Sequence, residues 1–506
     1  MAEPLGVVAA GHPLSAQAGA DALREGGNAV DAAIAAMLTA FSCEPLLTAL
    51  GAGGYMLVVQ PEPADGGGAG GRAVMLDFFI EAPGRGADVS ARAELVPVSV
   101  SFGDADQLFN IGPASVGTYG MPAGLWEAAS RFGRIPLAQL IAPAARLARN
   151  GVELNAAQAY VVEILAGIVT STPECAALFA PDGRVLGPGD VLRQPELADA
   201  LERLGAEGPA PFYTGDIAAA IVDWVGTRGG IVTAEDLASY AAVGREPIRA
   251  NYRGREVLTN PPPSAGGILL AHALARLDAE ADATHPPDLT RVVDTMEQTQ
   301  ALRTPEFLEG LDDPEFVERF LASRSPLGST THVAVLDRDG WACSVTSSNG
   351  EGAGVVVPGT GIHLNNMLGE QDLNPLGFHR HPAGRRMPSM MSPTAVLRDG
   401  APELVLGSAG SNRIRSAILQ TIIRVVDDGL AAGDAVEAPR VHFEDGVVYV
   451  EPGIETGPIE RAGRAIARFR ELNLFFGGVQ AAARDERGRF SGGGDPRRGG
   501  AAILVT

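Results

Sequence analysis

The sequence predicts an α+β protein in which helices pack over two sheets. Three observations carry this reading. Helical, Ala-rich periodicity dominates before Thr330, and short apolar strand-like runs dominate after it. Between two of those runs, Asp337-Arg338-Asp339-Gly340 has the composition of a hairpin turn.

Along the chain, Ser15 to Leu46 reads as helices, with Ser15 as a cap and Gly26-Gly27-Asn28 as the break between two segments. Gly51-Ala52-Gly53-Gly54 leads into Tyr55 to Val59, an apolar run of the buried-strand kind. Pro61 to Gly71 reads as a turn and Ala73 to Phe78 as the return strand. No helix with Gly-Lys-Ser/Thr follows these glycines, which argues against a nucleotide cradle. Pro122 to Asn150 is helical with a polar break at Arg131 to Arg134. Pro195 to Leu204, with Pro195 at a first helical position, and Asp216 to Val225 are further helices. Pro261-Pro262-Pro263-Ser264 is a rigid turn feeding a helix at Ile268 to Leu277. Asp278 to Asp288 and Ala322 to Ser329 are polar, small-residue stretches, the second suited to freeing a new chain end. Val333 to Leu336, Ala342 to Thr346, Ala395 to Leu397, Leu404 to Leu406 and Val447 to Val450 supply strands, with a helix at Ile414 to Asp427.

With 506 residues, the chain holds two or three average domains or one large unit. Its charged fraction of 20% and apolar fraction of 46% are those of a globular protein. A net charge of −22 without a basic stripe argues against nucleic acid. Cys43, Cys175 and Cys343 are scattered and odd in number, so neither a disulfide framework nor a metal site is expected. The opening residues lack a basic segment followed by a long apolar core, and no run approaches a membrane span. The expected location is the cytoplasm.

Ser329-Thr330-Thr331-His332 stands directly before a strand, where an enzyme with an amino-terminal nucleophile would keep its catalyst in mid-chain. Around it lie Gly11-His12-Pro13-Leu14, Gly26 to Ala33, Asp77 to Pro83, Phe132 to Pro136, the Pro-Pro-Pro-Ser turn, Pro358 to Gly361, Leu364-Asn365-Asn366, Ser392-Pro393-Thr394, Gly407 to Gly410 and Asp495-Pro496-Arg497. In this order the segments resemble the γ-glutamyltransferase (γ-glutamyltranspeptidase) family of amino-terminal nucleophile (Ntn) hydrolases. The resemblance runs nearly end to end.

The resemblance implies a four-layer αββα sandwich made from one precursor. Cleavage at Ser329-Thr330 would give a large segment, 1–329, and a small catalytic one, 330–506, that stay together. The Thr330 hydroxyl attacks the preceding carbonyl, and the resulting ester hydrolyses. The freed α-amine, with an ordinary pKa of about 8, can then serve as base to the hydroxyl on the same residue. Thr331 and Ser348 would orient the nucleophile, and Asn349 resembles the family's site asparagine. Gly410 and Ser411 match the pair whose backbone N–H groups form the oxyanion hole, with Ser411 restricting the loop's φ/ψ. Ser389 matches a serine that contacts the substrate carboxylate, and His332 takes a structural role.

Departures from the family pattern concern substrate recognition. Phe79 stands where the family has an arginine that clamps a carboxylate in two places. Glu370 replaces a shorter acidic partner for the substrate amino group. Met367 and Met390 replace polar residues, which reads as several changes in one pocket. Loss of a desolvated bidentate pair costs about 2–5 kcal/mol of binding, or roughly 30- to several-thousand-fold. Glutathione is therefore an unfavoured donor unless Arg413 or Arg415 compensates. A short segment from Glu370 to Ser389 implies an open pocket for a bulkier acyl group.

The resulting expectation is an enzyme that cleaves a small-molecule amide through an ester on Thr330, with water or an amine as acceptor. The alternatives are an acylase or biosynthetic hydrolase for a donor other than γ-glutamyl, and an inactive ligand-binding homologue. No cofactor or metal is called for, and further assembly of the two-chain unit is left open.

Overall fold

A computed structural model describes residues 3–61, 72–101, 106–279, 285–302, 330–371, 373–374 and 377–506. Most of the Pro61 to Gly71 turn, part of the Asp278 to Asp288 stretch, and Ala322 to Ser329 lie outside the described residues.

Two antiparallel sheets face each other. The first has seven strands in the order Ala501–Val505, Gly6–Ala10, Thr331–Asp337, Ala342–Ser348, Gly53–Val59, Ala73–Phe78 and Val243–Arg245. The second has six, in the order Phe490–Gly494, Gly478–Arg484, Ala401–Ala409, Thr394–Arg398, Arg255–Thr259 and Ile248–Tyr252. Polar groups stitch the sheets where they meet. Ser344 Oγ donates to the Leu406 carbonyl at 3.0 Å and accepts from the Thr394 N–H at 3.1 Å.

Helices Pro13–Arg24 and Ala29–Cys43 cover the outer face of the first sheet, and Ala265–Ala279 and Arg413–Val426 that of the second. The layers are αββα, as the resemblance implied. Each helical layer closes one main apolar core. The strand texture is not confined to the sequence after Thr330. Gly6–Ala10 is the unpredicted neighbour of Thr331–Asp337, too short and Ala-rich to announce itself.

Helix Ala29–Cys43 is buried along its whole length, so its position is set by its ends. At its start Asn28 and Asp31 form a reciprocal capping box. Asp31 also accepts from the Arg134 and Ile135 N–H groups at 3.0 and 3.1 Å, tying the helix to the break before Leu137–Asn150. The Ala29 N–H donates to Asp337 Oδ2 at 3.0 Å, joining the helix to the end of the strand that Thr330 begins. The first helix starts earlier than expected. Its cap is His12, whose side chain accepts from the Leu14 N–H, whereas Ser15 lies buried inside the helix against Cys43.

A second buried assembly secures the C-terminal region. Arg440 pairs with Asp495 at 2.7 Å, and Arg497 pairs with Glu451 at 2.5 Å and Asp495 at 3.1 Å. All four side chains are buried, so each charge depends on the others.

Asp31→Ala removes a cap and strands buried N–H groups from two elements. It should lower unfolding free energy by about 2–4 kcal/mol, read as a shift of the urea midpoint against wild type.

Candidate active site

Thr330 is the residue just ahead of strand Thr331–Asp337, which is hydrogen-bonded on both edges and buried throughout. Thr330 itself is buried, and its Oγ1 has no hydrogen-bond partner among the described residues. A buried hydroxyl normally finds a partner, so an unpartnered one at this position is available for chemistry. It borders a cleft walled by Leu47, Val161, Ile164, Leu165 and Leu474, with Gly350, Glu351, Arg413 and Arg498 as its polar lining.

The neighbouring hydroxyls have partners other than Thr330. Thr331 Oγ1 donates to Glu44 Oε2 at 3.0 Å, and Ser348 Oγ accepts from the Gly350 N–H at 2.9 Å. Thr331 Oγ1 keeps acceptor lone pairs and Ser348 Oγ keeps its O–H donor beside these bonds. Gly11 makes room for Glu44, since a Cβ there would lie 2.3 Å from Glu44 Oε2. Burial pushes the Glu44 carboxyl up to about 7, with the Thr331 hydroxyl and the Arg498 charge pulling it partly back.

His332 faces away from catalysis. Its Nδ1 pairs with Thr346 Oγ1 at 2.8 Å, its ring fills the space left by Gly407, and burial pushes its pKa down to about 3. Gly410 and Ser411 follow strand Ala401–Ala409 and precede helix Arg413–Val426, with φ values of 114° and 59°. Ser411 thus holds a left-handed backbone that glycine adopts freely, at a cost of roughly 1–2 kcal/mol. Their carbonyls accept from the Arg413 and Ile414 N–H groups, which fixes the turn beside Thr330's cleft.

The recognition residues are more dispersed than the sequence implied. The Phe79 ring is fully buried and stacked on Tyr55 at 5.5 Å between centroids, and it does not line the cleft. Around its backbone, Arg386 donates to the Phe79 carbonyl at 2.5 Å and pairs with Asp77 and Glu81 at 3.5 and 3.4 Å. Glu370 stands behind Gly350, where a Cβ would meet its Oε1 at 2.6 Å. Asn349 is buried with Nδ2 on the Leu364 carbonyl at 3.4 Å. The Ser389 carbonyl accepts from Ser264 Oγ at 3.0 Å and its Oγ from the Met391 N–H at 3.1 Å, binding the Pro-Pro-Pro-Ser turn.

Met367 and Met390 belong to different apolar cores, one under each sheet. The altered positions therefore do not share one pocket; apolar packing draws each methionine into its own layer. Sequence reasoning missed Glu44 and Arg498. The available signals were an acid directly after a long Ala-rich helix and a second arginine after Asp495-Pro496-Arg497.

The sequence model of the Gamma-glutamyltranspeptidase family matches residues 15–505. The chain belongs to the gamma-glutamyltranspeptidase family. Among relatives in this family, "Acylase ACY 1 proenzyme" of Pseudomonas sp. (strain SE83) is 31% identical, over 99% of this chain and 94% of its own. "Glutathione hydrolase proenzyme" of Bacillus subtilis (strain 168) is 30% identical, over 99% and 92%. The cephalosporin acylase from Bacillus halodurans superposes with a TM-score of 0.83 at 27% identity, covering 99% of this chain and 96% of that one. As a member of the gamma-glutamyltranspeptidase family the protein is an Ntn-type hydrolase or transferase.

Because the folded Glu44 value lies above the ordinary 4.5, its stabilisation is complete below about pH 4.5 and is lost as pH rises through about 7. Glu44→Gln should remove that slope. Relative to the variant, wild type should lose on the order of 2–3 kcal/mol between about pH 4.5 and 7.5, read from urea midpoints.

Proposed function

We propose that the chain cuts itself at Ser329-Thr330 and then cleaves amides through an acyl ester on Thr330. In the matured protein the Thr330 α-amine takes the hydroxyl proton as Oγ1 attacks the donor carbonyl. The amine product departs with that proton, and water or a second amine attacks the ester, returning the hydroxyl. Gly410 and Ser411 are the backbone donors for the oxyanion in this scheme. The observation that carries it is the buried, unpartnered Thr330 Oγ1 at the head of a central strand, opening onto a cleft.

A second reading concerns the donor. Apolar cleft walls favour an acyl group other than γ-glutamyl, in line with the acylases among the relatives.

Under denaturing mass analysis wild type should appear as two pieces, 1–329 and 330–506, and Thr330→Ala as one uncut chain. A wild-type chain that stays whole defeats the catalytic reading. In a donor screen on matured protein, γ-glutamyl-p-nitroanilide should turn over at least about 30-fold less efficiently than the best aliphatic acyl donor; equal turnover removes the case for altered specificity.

A further inference from the structure

The turn at Gly410 and Ser411 needs more than its own sequence to hold it. Ser411 is not glycine, yet its φ is 59°, directly after the 114° of Gly410. Such backbone persists only where the surroundings over-determine it. On one flank Gly410 is pressed against Gly477, where an added Cβ would lie 2.6 Å from the Gly477 Cα. The other flank is held by side chains that do not line the cleft.

Asn412, the residue after the turn, is buried and donates from Nδ2 to Glu444 Oε1. Glu444 Oε2 lies 3.3 Å from His442 Nε2, and His442 Nδ1 lies 2.8 Å from Ser416 Oγ. One turn further, Gln420 accepts from the Val441 N–H at 3.0 Å and donates to the Val441 carbonyl at 2.9 Å. Asn412, Ser416 and Gln420 are four residues apart and so share one side of helix Arg413–Val426. His442 and Glu444 are two apart and share one face of strand Val441–Glu444, while Val441 and Phe443 enter the core. Helix and strand are laced at three levels, and the first level is the residue next to Ser411.

Protons give this chain a direction. Burial pushes His442 down, helped by the Arg413 and Arg415 charges and opposed by Glu444, so the ring is neutral with a single N–H. Burial opposes the Glu444 charge, but the His442 hydrogen bond and the Arg413 and Arg415 charges outweigh it and hold the carboxyl below its ordinary range. An ionised carboxylate only accepts, so His442 donates from Nε2 and accepts at Nδ1 from the Ser416 hydroxyl. Serine, histidine and acid stand here in the order of a hydrolytic relay. Ser416, however, is buried inside a helix whose backbone N–H groups are spent on its own ladder, so the set holds rather than reacts.

We propose that Glu444 is a positioning residue: through Asn412 it holds the Gly410–Ser411 turn, and with it the backbone N–H groups that meet the oxyanion formed on Thr330. This rests on Thr330 being the nucleophile and on that turn supplying the donors. Glu444→Gln keeps the lacing, because its Oε1 still accepts from Asn412. Its amide N–H then meets His442 Nε2, and the imidazole moves its proton to Nδ1 to donate to Ser416. Glu444→Ala and Asn412→Ala break it.

The kinetic arm uses matured protein with γ-glutamyl-p-nitroanilide or valeryl-p-nitroanilide, whichever wild type turns over faster. Glu444→Ala should lower kcat about tenfold or more and leave KM within about twofold, because oxyanion donors act after the donor has bound. Glu444→Gln should return kcat to within about threefold of wild type. Asn412→Ala should behave as Glu444→Ala does and serves if that variant fails to mature. Gln420→Ala, broken at the far end of the same face, should lower the urea midpoint but leave kcat within about twofold. The second arm needs no turnover: amide hydrogen exchange over residues 408–414 in the uncut Thr330→Ala chain. The Arg413 and Ile414 N–H groups, bonded to the Gly410 and Ser411 carbonyls, should exchange about tenfold faster when either alanine change is added, and at the original rate with Glu444→Gln. Unchanged exchange with both alanine changes overturns the proposal. So does a loosened turn with unchanged kcat, or an equal kcat loss in Gln420→Ala. A wild-type chain that stays uncut defeats the catalytic reading instead, and exchange alone then decides whether Glu444 holds the turn.

Discussion

Strand Thr331–Asp337 pairs with Gly6–Ala10 on one edge and Ala342–Ser348 on the other, and the site inherits its position from that ladder. Strands from the two sides of Thr330 interleave in the sheet: Ala501–Val505 lies outside Gly6–Ala10, and Gly53–Val59 lies beyond Ala342–Ser348. A break at the head of the central strand severs none of these pairs. The same register presents Thr331 to Glu44 and leaves Thr330 at the cleft, so Thr330's placement is a property of the backbone pairing rather than of local side chains.

Charge is distributed by a consistent physical rule. Deep acids such as Asp31 and Asp495 are saturated with backbone donors or arginines, and these groups lock elements together. Burial outweighs what the Thr331 and Ser15 hydroxyls and the Arg498 charge offer Glu44, so its proton is retained to near neutrality. Thr330 Oγ1 and Arg498 Nε, both buried without a hydrogen-bond partner among the described residues, belong to residues on the same cleft.

Much of this was legible in the sequence where the signal is local. The hairpin across Asp337 to Gly340 and the helix break at Gly26-Gly27-Asn28 depend on turn and cap chemistry among adjacent residues, and both formed as read. The Thr-Thr-His motif could be singled out because it lies at one point in the chain. Glu44 was not, because it meets Thr331 from 287 positions away, and only the folded register reveals the contact. Phe79 shows a different limit: the direction of its ring follows packing against Tyr55, which no linear pattern encodes.

The turn Asp495 to Arg498 joins two duties in four residues. Arg497 and Asp495 hold the buried C-terminal framework, while the next side chain opens onto the cleft. Insertions or deletions that would re-aim Arg498 must first unseat the charges beside it, so drift in length here is penalised by loss of the fold. Exchange of residue 498 alone leaves that framework intact.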